Sequence, residues 1–268
     1  MSHELPPTLG AVLRERARPL IGMWSCSGSA LVAEICAGSG LDIVLIDGEH
    51  SPITLEGMLS QLQAVAAYPI TPLVRVPHGD AAMIKQVLDI GAQNILVPMV
   101  NSAHEAAAMV QAVRYPPSGL RGVGSALARS SRWNRIPDYL NRADSLVSLT
   151  VQIETSAGVA AADDILAVAG VDAVLVGPAD LAASMGVLGN QAHPDVVSSV
   201  ESVIDAARST GVPVGVNAFD PVMAQHYIDA GAAFVLVGAD VTLLARGSES
   251  LAERFIPPAH TTAKRPTP

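Results

Sequence analysis

Eight short apolar runs recur along this chain, and each is followed by a stretch of helical character. The runs are 19–24 (PLIGMW), 42–47 (DIVLID), 71–76 (TPLVRV), 94–99 (NILVPM), 148–154 (SLTVQIE), 172–177 (DAVLVG), 212–217 (VPVGVN) and 233–238 (AFVLVG). Most show no apolar/polar alternation, which is the pattern of strands buried on both faces. Helical patterns fill 29–38, 55–66, 79–91, 102–113, 159–168, 194–209 and 221–230, and several close on glycine before the next run. This eightfold alternation predicts a (β/α)8 barrel, and the right-handed crossover rule makes its sheet parallel. Residues 1–256 are expected to form one barrel domain, and the Pro- and Thr-rich segment 257–268 a flexible tail. No glycine fingerprint for a dinucleotide follows the first run, where the chain reads SGSALV, and there is no phosphate-binding P-loop.

Composition narrows the function. Half of the 268 residues are hydrophobic and only 15% are charged, which is the reverse of a disordered chain. Cys26 and Cys36 are the only cysteines, too few for a disulfide scaffold. Acidic residues outnumber basic ones by 25 to 16, a net charge of −9, so nucleic acid and anionic membranes are disfavoured as partners. Apolar runs break well short of the ~18 residues a membrane helix needs. The N-terminal MSHELPPTLG has no basic region followed by an apolar run, so a cytoplasmic location is expected.

In a parallel barrel the strand C-termini converge on one mouth, and polar residues there are the candidates for chemistry. They are Trp24 and Ser25; Asp47, Glu49 and His50; Arg75; Gln152 and Glu154; Pro178, Ala179 and Asp180; Asn217; and Gly238 and Asp240. Glu154 and Asp180 close neighbouring strands, a placement suited to sharing a hard divalent cation, although Asp180 equally suits a helix N-cap. His50 has acids on either side of Gly48, and an imidazole oriented by a carboxylate is a competent general base; the alternative is a surface histidine. Arg75 closes a buried strand and needs a partner, either a substrate oxygen or an acid such as Asp89. The only lysines are Lys85, in a helical pattern, and Lys264, in the tail, so imine catalysis is excluded and carbanion chemistry needs a metal as electron sink. Cys26 has no adjacent base and reads as a small filler. The arginine-rich stretch 114–142 suggests a contact between subunits, apart from Arg121 in GLRGVGS, an anion-binding candidate.

Several long motifs then carry a resemblance: GMWSCSGSALVAEI, LIDGEHSP, PLVRVP, LDIGAQNILVPMV, YPPSGLRGVGSALARSSRWNR, VQIET and GPADLAASMG. From about residue 8 to 256 the chain resembles the HpcH/HpaI aldolase family of class II, metal-dependent pyruvate aldolases. The resemblance implies a barrel whose last helix is exchanged between subunits of a hexamer. It implies a divalent metal (Mg2+, Mn2+ or Co2+) on Glu154 and Asp180, and His50 as catalytic base with Asp47 orienting it and Asp89 in support. Arg75 would hold the ketone and enolate oxygen, Ala179 and Asp180 amides would meet the pyruvate carboxylate near Gln152, and Trp24 would line the pocket. The implied reaction is reversible addition of a pyruvate or hydroxypyruvate enolate to an aldehyde such as succinic semialdehyde. Close look-alikes carry an apolar side chain where this chain has Asn217, which favours other aldehydes. Alternatives are cleavage of 2-keto-3-deoxy sugar acids, an acyl-CoA lyase of citramalyl or malyl type, and a non-catalytic barrel that binds a keto acid.

Overall fold

The computed structural model of the chain describes residues 4–257. Eight strands run β1 (Leu20–Ser25), β2 (Ile43–Asp47), β3 (Thr71–Arg75), β4 (Asn94–Val97), β5 (Ser148–Ile153), β6 (Ala173–Val176), β7 (Val214–Asn217) and β8 (Phe234–Ala239). Each pairs in parallel with the next, and β8 pairs with β1, so the sheet closes into a barrel with no free edge. Every residue of β2, β4, β5 and β6 is buried, as the unbroken apolar runs require.

Alternate side chains divide the core into two layers. Leu45, Leu73, Leu96, Leu175, Phe234 and Leu236 fill the barrel together with Leu9 and Leu13 of the first helix, Leu9–Glu15, which plugs the end where strands begin. That plug is fastened by backbone N–H groups of Leu9 and Gly10 donating to Asn94 Oδ1 and Ser148 Oγ. The opposite faces of the strands, including Ile46, Val74, Ile95, Val151 and Val216, pack against the surrounding helices. Ser29, Thr54, Asp80, Ser102, Thr155 and Asp220 each cap a helix by accepting a backbone N–H, fixing where the chain turns back from the mouth.

Strand ends fall within two residues of the expected positions. The run 94–99 stops at Val97 because Pro98 has no N–H for the ladder and Met99 turns with φ 58°. The stretch 159–168 is two short helices, Ser156–Ala160 and Ala162–Leu166. Helices lie where none is expected at Leu9–Glu15 and Tyr139–Arg142, while the helix expected at Asp180 and the last helix of the barrel are Pro178–Ser184 and Asp240–Phe255. The last of these leaves Leu243, Leu244, Leu251 and Phe255 exposed. No helix among the described residues is long and apolar enough to cross a membrane. The expected tail lies, beyond residue 257, outside the described residues.

Candidate active site

At the mouth the side chains form a connected set. Arg75, the last residue of β3, is 5% exposed. Its Nε donates to Asp47 Oδ1 at 2.8 Å and its Nη1 lies 2.8 Å from Glu49 Oε2. Its guanidinium also stacks on the Trp24 indole, 4.3 Å from the ring centroid. Asp47 and Arg75 face each other in the register of β2 and β3, so the pair is set by strand pairing itself. Burial opposes the charge on Asp47, but the Arg75 bond and the N–H groups of Glu49 and His50 outweigh it and hold the carboxyl below its usual range. Burial pushes the Glu49 carboxyl up, opposed by Arg75. Gly48 makes this turn feasible: its N–H donates to Arg75 O, and a Cβ there would lie 2.5 Å from that oxygen.

The second acid group is deeper. Glu154 follows β5 and is 2% exposed. Its Oε1 accepts the backbone N–H of Met99 at 2.9 Å and its Oε2 accepts Gln152 Nε2 at 2.5 Å. Burial, with the charges of Asp180 and Glu49 nearby, pushes the Glu154 carboxyl up to about 7 against the Met99 bond. Gln152 Oε1 is buried without a partner. Asp180 is the third residue of helix Pro178–Ser184, whose N-cap is Gly177; Asp180 therefore does not cap it, correcting that alternative. Gly177 lies against this pair, since a Cβ would come within 2.8 Å of Glu154 Oε2 and 2.9 Å of Gln152 Nε2.

His50 stands at the rim with its side chain 69% exposed, and its Nε2 is 4.0 Å from Glu49 Oε2. Asp47 reaches only the His50 backbone N–H, because Arg75, Glu49 and Ser51 occupy its oxygens. The expectation that Asp47 orients the imidazole does not match this geometry; Asp47 orients Arg75. Asp89 and Arg121 are not brought to the mouth either. Asp89 ends the helix Ala81–Asp89 that returns from β3 to the start of β4, so it lies at the far end of the barrel. There Arg121 Nη2 lies 3.4 Å from Asp89 Oδ1, and its guanidinium stacks on Tyr115 with a side chain wholly buried. Arg75 pairs with Asp47 and Glu49, and Asp89 is not its partner.

Trp24 Nε1 donates to Asn217 Oδ1 at 2.8 Å, joining β1 to the end of β7. Beside Asn217 opens a cavity of about 450 Å3 lined by Pro178, Gln191, Phe219, Met223 and Tyr227. A larger cavity of about 610 Å3 lies at the far end, beside Asn94, Arg129 and Arg132, and contains none of the mouth residues. Asp240 accepts the N–H groups of Cys26, Ser27 and Val241, a seam between β8 and the loop after β1. Burial raises the Cys26 thiol to about 11, which keeps it protonated and fits the filler reading.

Two features of this mouth were not assigned a role from sequence. Glu49 stood among the strand-end residues, and its ion pair with Arg75 gives it one. The Met99 amide is aimed at Glu154 by an unusual left-handed backbone, for which the residue types give no signal.

Residues 20–247 match the family described as HpcH/HpaI aldolase/citrate lyase. The chain belongs to that family. Over 238 residues it is 51% identical to 4-hydroxy-2-oxo-heptane-1,7-dioate aldolase of Salmonella dublin, covering 89% of this chain and 90% of the relative. It is 52% identical to hydroxypyruvate/pyruvate aldolase of Deinococcus radiodurans, with 89% and 86% covered. Among solved structures it is similar to an HpcH/HpaI aldolase/citrate lyase family protein of Burkholderia cenocepacia, with a TM-score of 0.88 and 39% identity over 92% of this chain and 98% of that one. The protein is therefore a carbon–carbon lyase of aldolase type.

Proposed function

We propose that this aldolase joins the enolate of pyruvate or hydroxypyruvate reversibly to an aldehyde, using a divalent cation held by Glu154 and Asp180. The observation that carries the reading is the Glu154 environment. A buried carboxyl held by two hydrogen bonds, close to two further acids, has no cation paired to it: Arg75 is committed to Asp47 and Glu49, and its charge is the smallest of the influences on Glu154. Among the described residues no group of three or more His, Cys, Asp or Glu is placed to hold a metal ion. A two-carboxylate donor set suits Mg2+, Mn2+ or Co2+, which keep positions for water and substrate oxygens. When bound, the cation supplies the positive charge that stabilises an enolate oxygen.

The chain's own residues supply the rest. Arg75, locked by two carboxylates and an indole, offers its remaining N–H groups to the oxygen where negative charge develops. His50 Nε2 takes the proton from the C3 methyl of pyruvate, and in the cleavage direction the proton from the C4 hydroxyl. Ala179 and Asp180 present backbone N–H groups beside Gln152 for the substrate carboxylate. The exposed apolar side chains of helix Asp240–Phe255 support its exchange onto a second copy in a hexamer.

The test is pyruvate–aldehyde condensation in protein stripped with EDTA. Activity should vanish and return with Mg2+, Mn2+ or Co2+; undiminished turnover in EDTA refutes the metal reading.

A further inference from the structure

The arginines between residues 114 and 142 go different ways. Arg121 pairs with Asp89 and Arg135 stacks on Trp133, whereas Arg129 and Arg132 turn onto one point at the far end of the barrel. A Cβ at Gly91 would lie 2.6 Å from Arg129 Nη1 and 3.2 Å from Arg132 Nη1, so two guanidinium groups converge over a single glycine. Neither forms an ion pair with an acid among the described residues. Burial holds both below their usual range, and the charge of Arg132 lowers Arg129 further. Each spends Nη1 on a backbone carbonyl, Arg129 on Ile90 at 3.1 Å and Arg132 on Arg129 at 2.7 Å, which leaves Nε and Nη2 of both for another partner. Arg132 is brought there by an unusual backbone, since it, Trp133 and Asn134 stand in succession at φ 52°, 55° and 61°. Such a run is costly for residues with side chains and persists only where the surroundings fix it.

The pair borders the cavity of about 610 Å3. Glu4 is the only acid in its lining, so the lining is net positive in a chain whose net charge is −9. Two half-buried like charges without a counter-charge are unfavourable, and an oxyanion that bonds both relieves them. The neutral donors of the lining are already engaged: Tyr68 Oη on Glu34, Gln93 Nε2 on the carbonyls of Pro6 and Leu146, and Asn94 Nδ2 on that of Pro72. Leu62, Val65 and Ile70 contribute apolar wall. A bare inorganic ion would use the arginines alone, whereas an anion with an apolar body would use both parts.

We infer that this cavity binds an amphipathic anion, with an oxyanion head on Arg129 and Arg132 and an apolar body against Leu62, Val65 and Ile70. Thr71 and Asn94, which begin β3 and β4, share the lining, so the site lies at the opposite end of the barrel from Glu154 and Arg75. A ligand there ties the segment at Glu4 and Pro6 to two strand starts and to the loop carrying the arginines. It acts on the fold and its assembly, apart from the reacting atoms.

The experiment is calorimetric titration of the full chain in EDTA with phenyl phosphate, benzoate, inorganic phosphate and phenol. The two aromatic anions distinguish a phosphate head from a carboxylate head. The better of them should bind at least about tenfold more tightly than inorganic phosphate or phenol and should raise Tm with its concentration. Arg132→Gln and Arg129→Gln should each weaken that binding about tenfold, whereas Arg135→Gln, outside the cavity, should leave it unchanged. Arg129 also holds Ile90 O, so Arg132→Gln decides the matter if Arg129→Gln does not fold. Equal affinity in wild type and Arg132→Gln, or tightest binding of inorganic phosphate, overturns the proposal. No binding of either aromatic anion to the wild type, together with a lower mass of Arg132→Gln by light scattering, overturns it in favour of a contact between copies of the chain.

Discussion

Replacing Glu154 by Gln should make the metal-free protein more stable at pH 8 while abolishing its response to divalent cations. The sign follows from the raised carboxyl. In the native state Glu154 holds its proton up to about pH 7, whereas in the unfolded chain it releases it near 4.5. Between those values the native state binds more protons, so its stability falls as pH rises through that window. The displacement is equivalent to about 3 kcal/mol, all of it charged against the native state above pH 7. For a barrel of this length that corresponds to a melting shift on the order of 10 °C. Glutamine keeps the oxygen that Met99 donates to. Its new N–H2 group faces Gln152, and Gln152 can rotate its amide to present the oxygen that now lacks a partner. The assay is thermal unfolding by circular dichroism in EDTA at pH 5 and pH 8, repeated with Mn2+. The wild-type Tm should drop between the two pH values by several degrees more than that of Glu154→Gln, and Mn2+ should restore it in the wild type only. A variant less stable than wild type at pH 8, or one with the same pH dependence, would refute the account of Glu154 as an uncompensated buried charge.

Three further outcomes follow from the same geometry. His50→Ala should leave stability within about 0.5 kcal/mol of wild type and metal affinity nearly intact, since the ring is largely exposed, while pyruvate exchange slows by about 10²–10⁴; a loss of metal affinity like that of Glu154→Gln, measured by calorimetry, contradicts the role. Gly177→Ala puts a methyl within 2.8 Å of Glu154 Oε2 and should weaken Mn2+ binding at least tenfold with an unchanged circular dichroism spectrum; wild-type affinity by titration would show that the acid does not need its present position. Leu244→Glu, on the exposed face of helix Asp240–Phe255, should lower the oligomeric state in size-exclusion chromatography with light scattering; an unchanged mass removes that helix from the interface.

The barrel was legible because its signal is repeated eight times. A strand buried on both faces has little choice of composition, and an Ala-rich helix between two such strands has only one way back across the sheet. The strand-end rule also found most of the mouth: Trp24, Asp47, Glu49, Arg75, Gln152, Glu154 and Asn217 all stand where it placed them. Partnerships were less legible. Asp47 is close to His50 in sequence, yet register sets Asp47 opposite Arg75, and the stronger bond goes to the guanidinium. Asp89 failed for a related reason: a helix of nine residues carries it the length of the barrel away from the loop it was meant to serve. The start of helix Pro178–Ser184 was misplaced because its seven residues are too few to show an apolar period, and Asp180 stands third in it rather than at its cap.

These partnerships bear on the cation proposed for the site. Four carboxylates, Asp47, Glu49, Glu154 and Asp180, gather at the mouth around one arginine and a histidine at the rim. Were Arg75 directed at Glu154, the mouth would be close to balanced, and a carboxyl so paired would titrate low, as Asp47 does. Instead Arg75 is divided between Asp47 and Glu49, and Glu154 is left to two neutral hydrogen bonds that do not offset its burial. The arrangement is unfavourable for the empty protein, and the proposed divalent ion would draw part of its binding energy from relieving that repulsion. The same division keeps the arginine rigid and buried, where its remaining N–H groups act on a developing oxyanion without having to be brought into place.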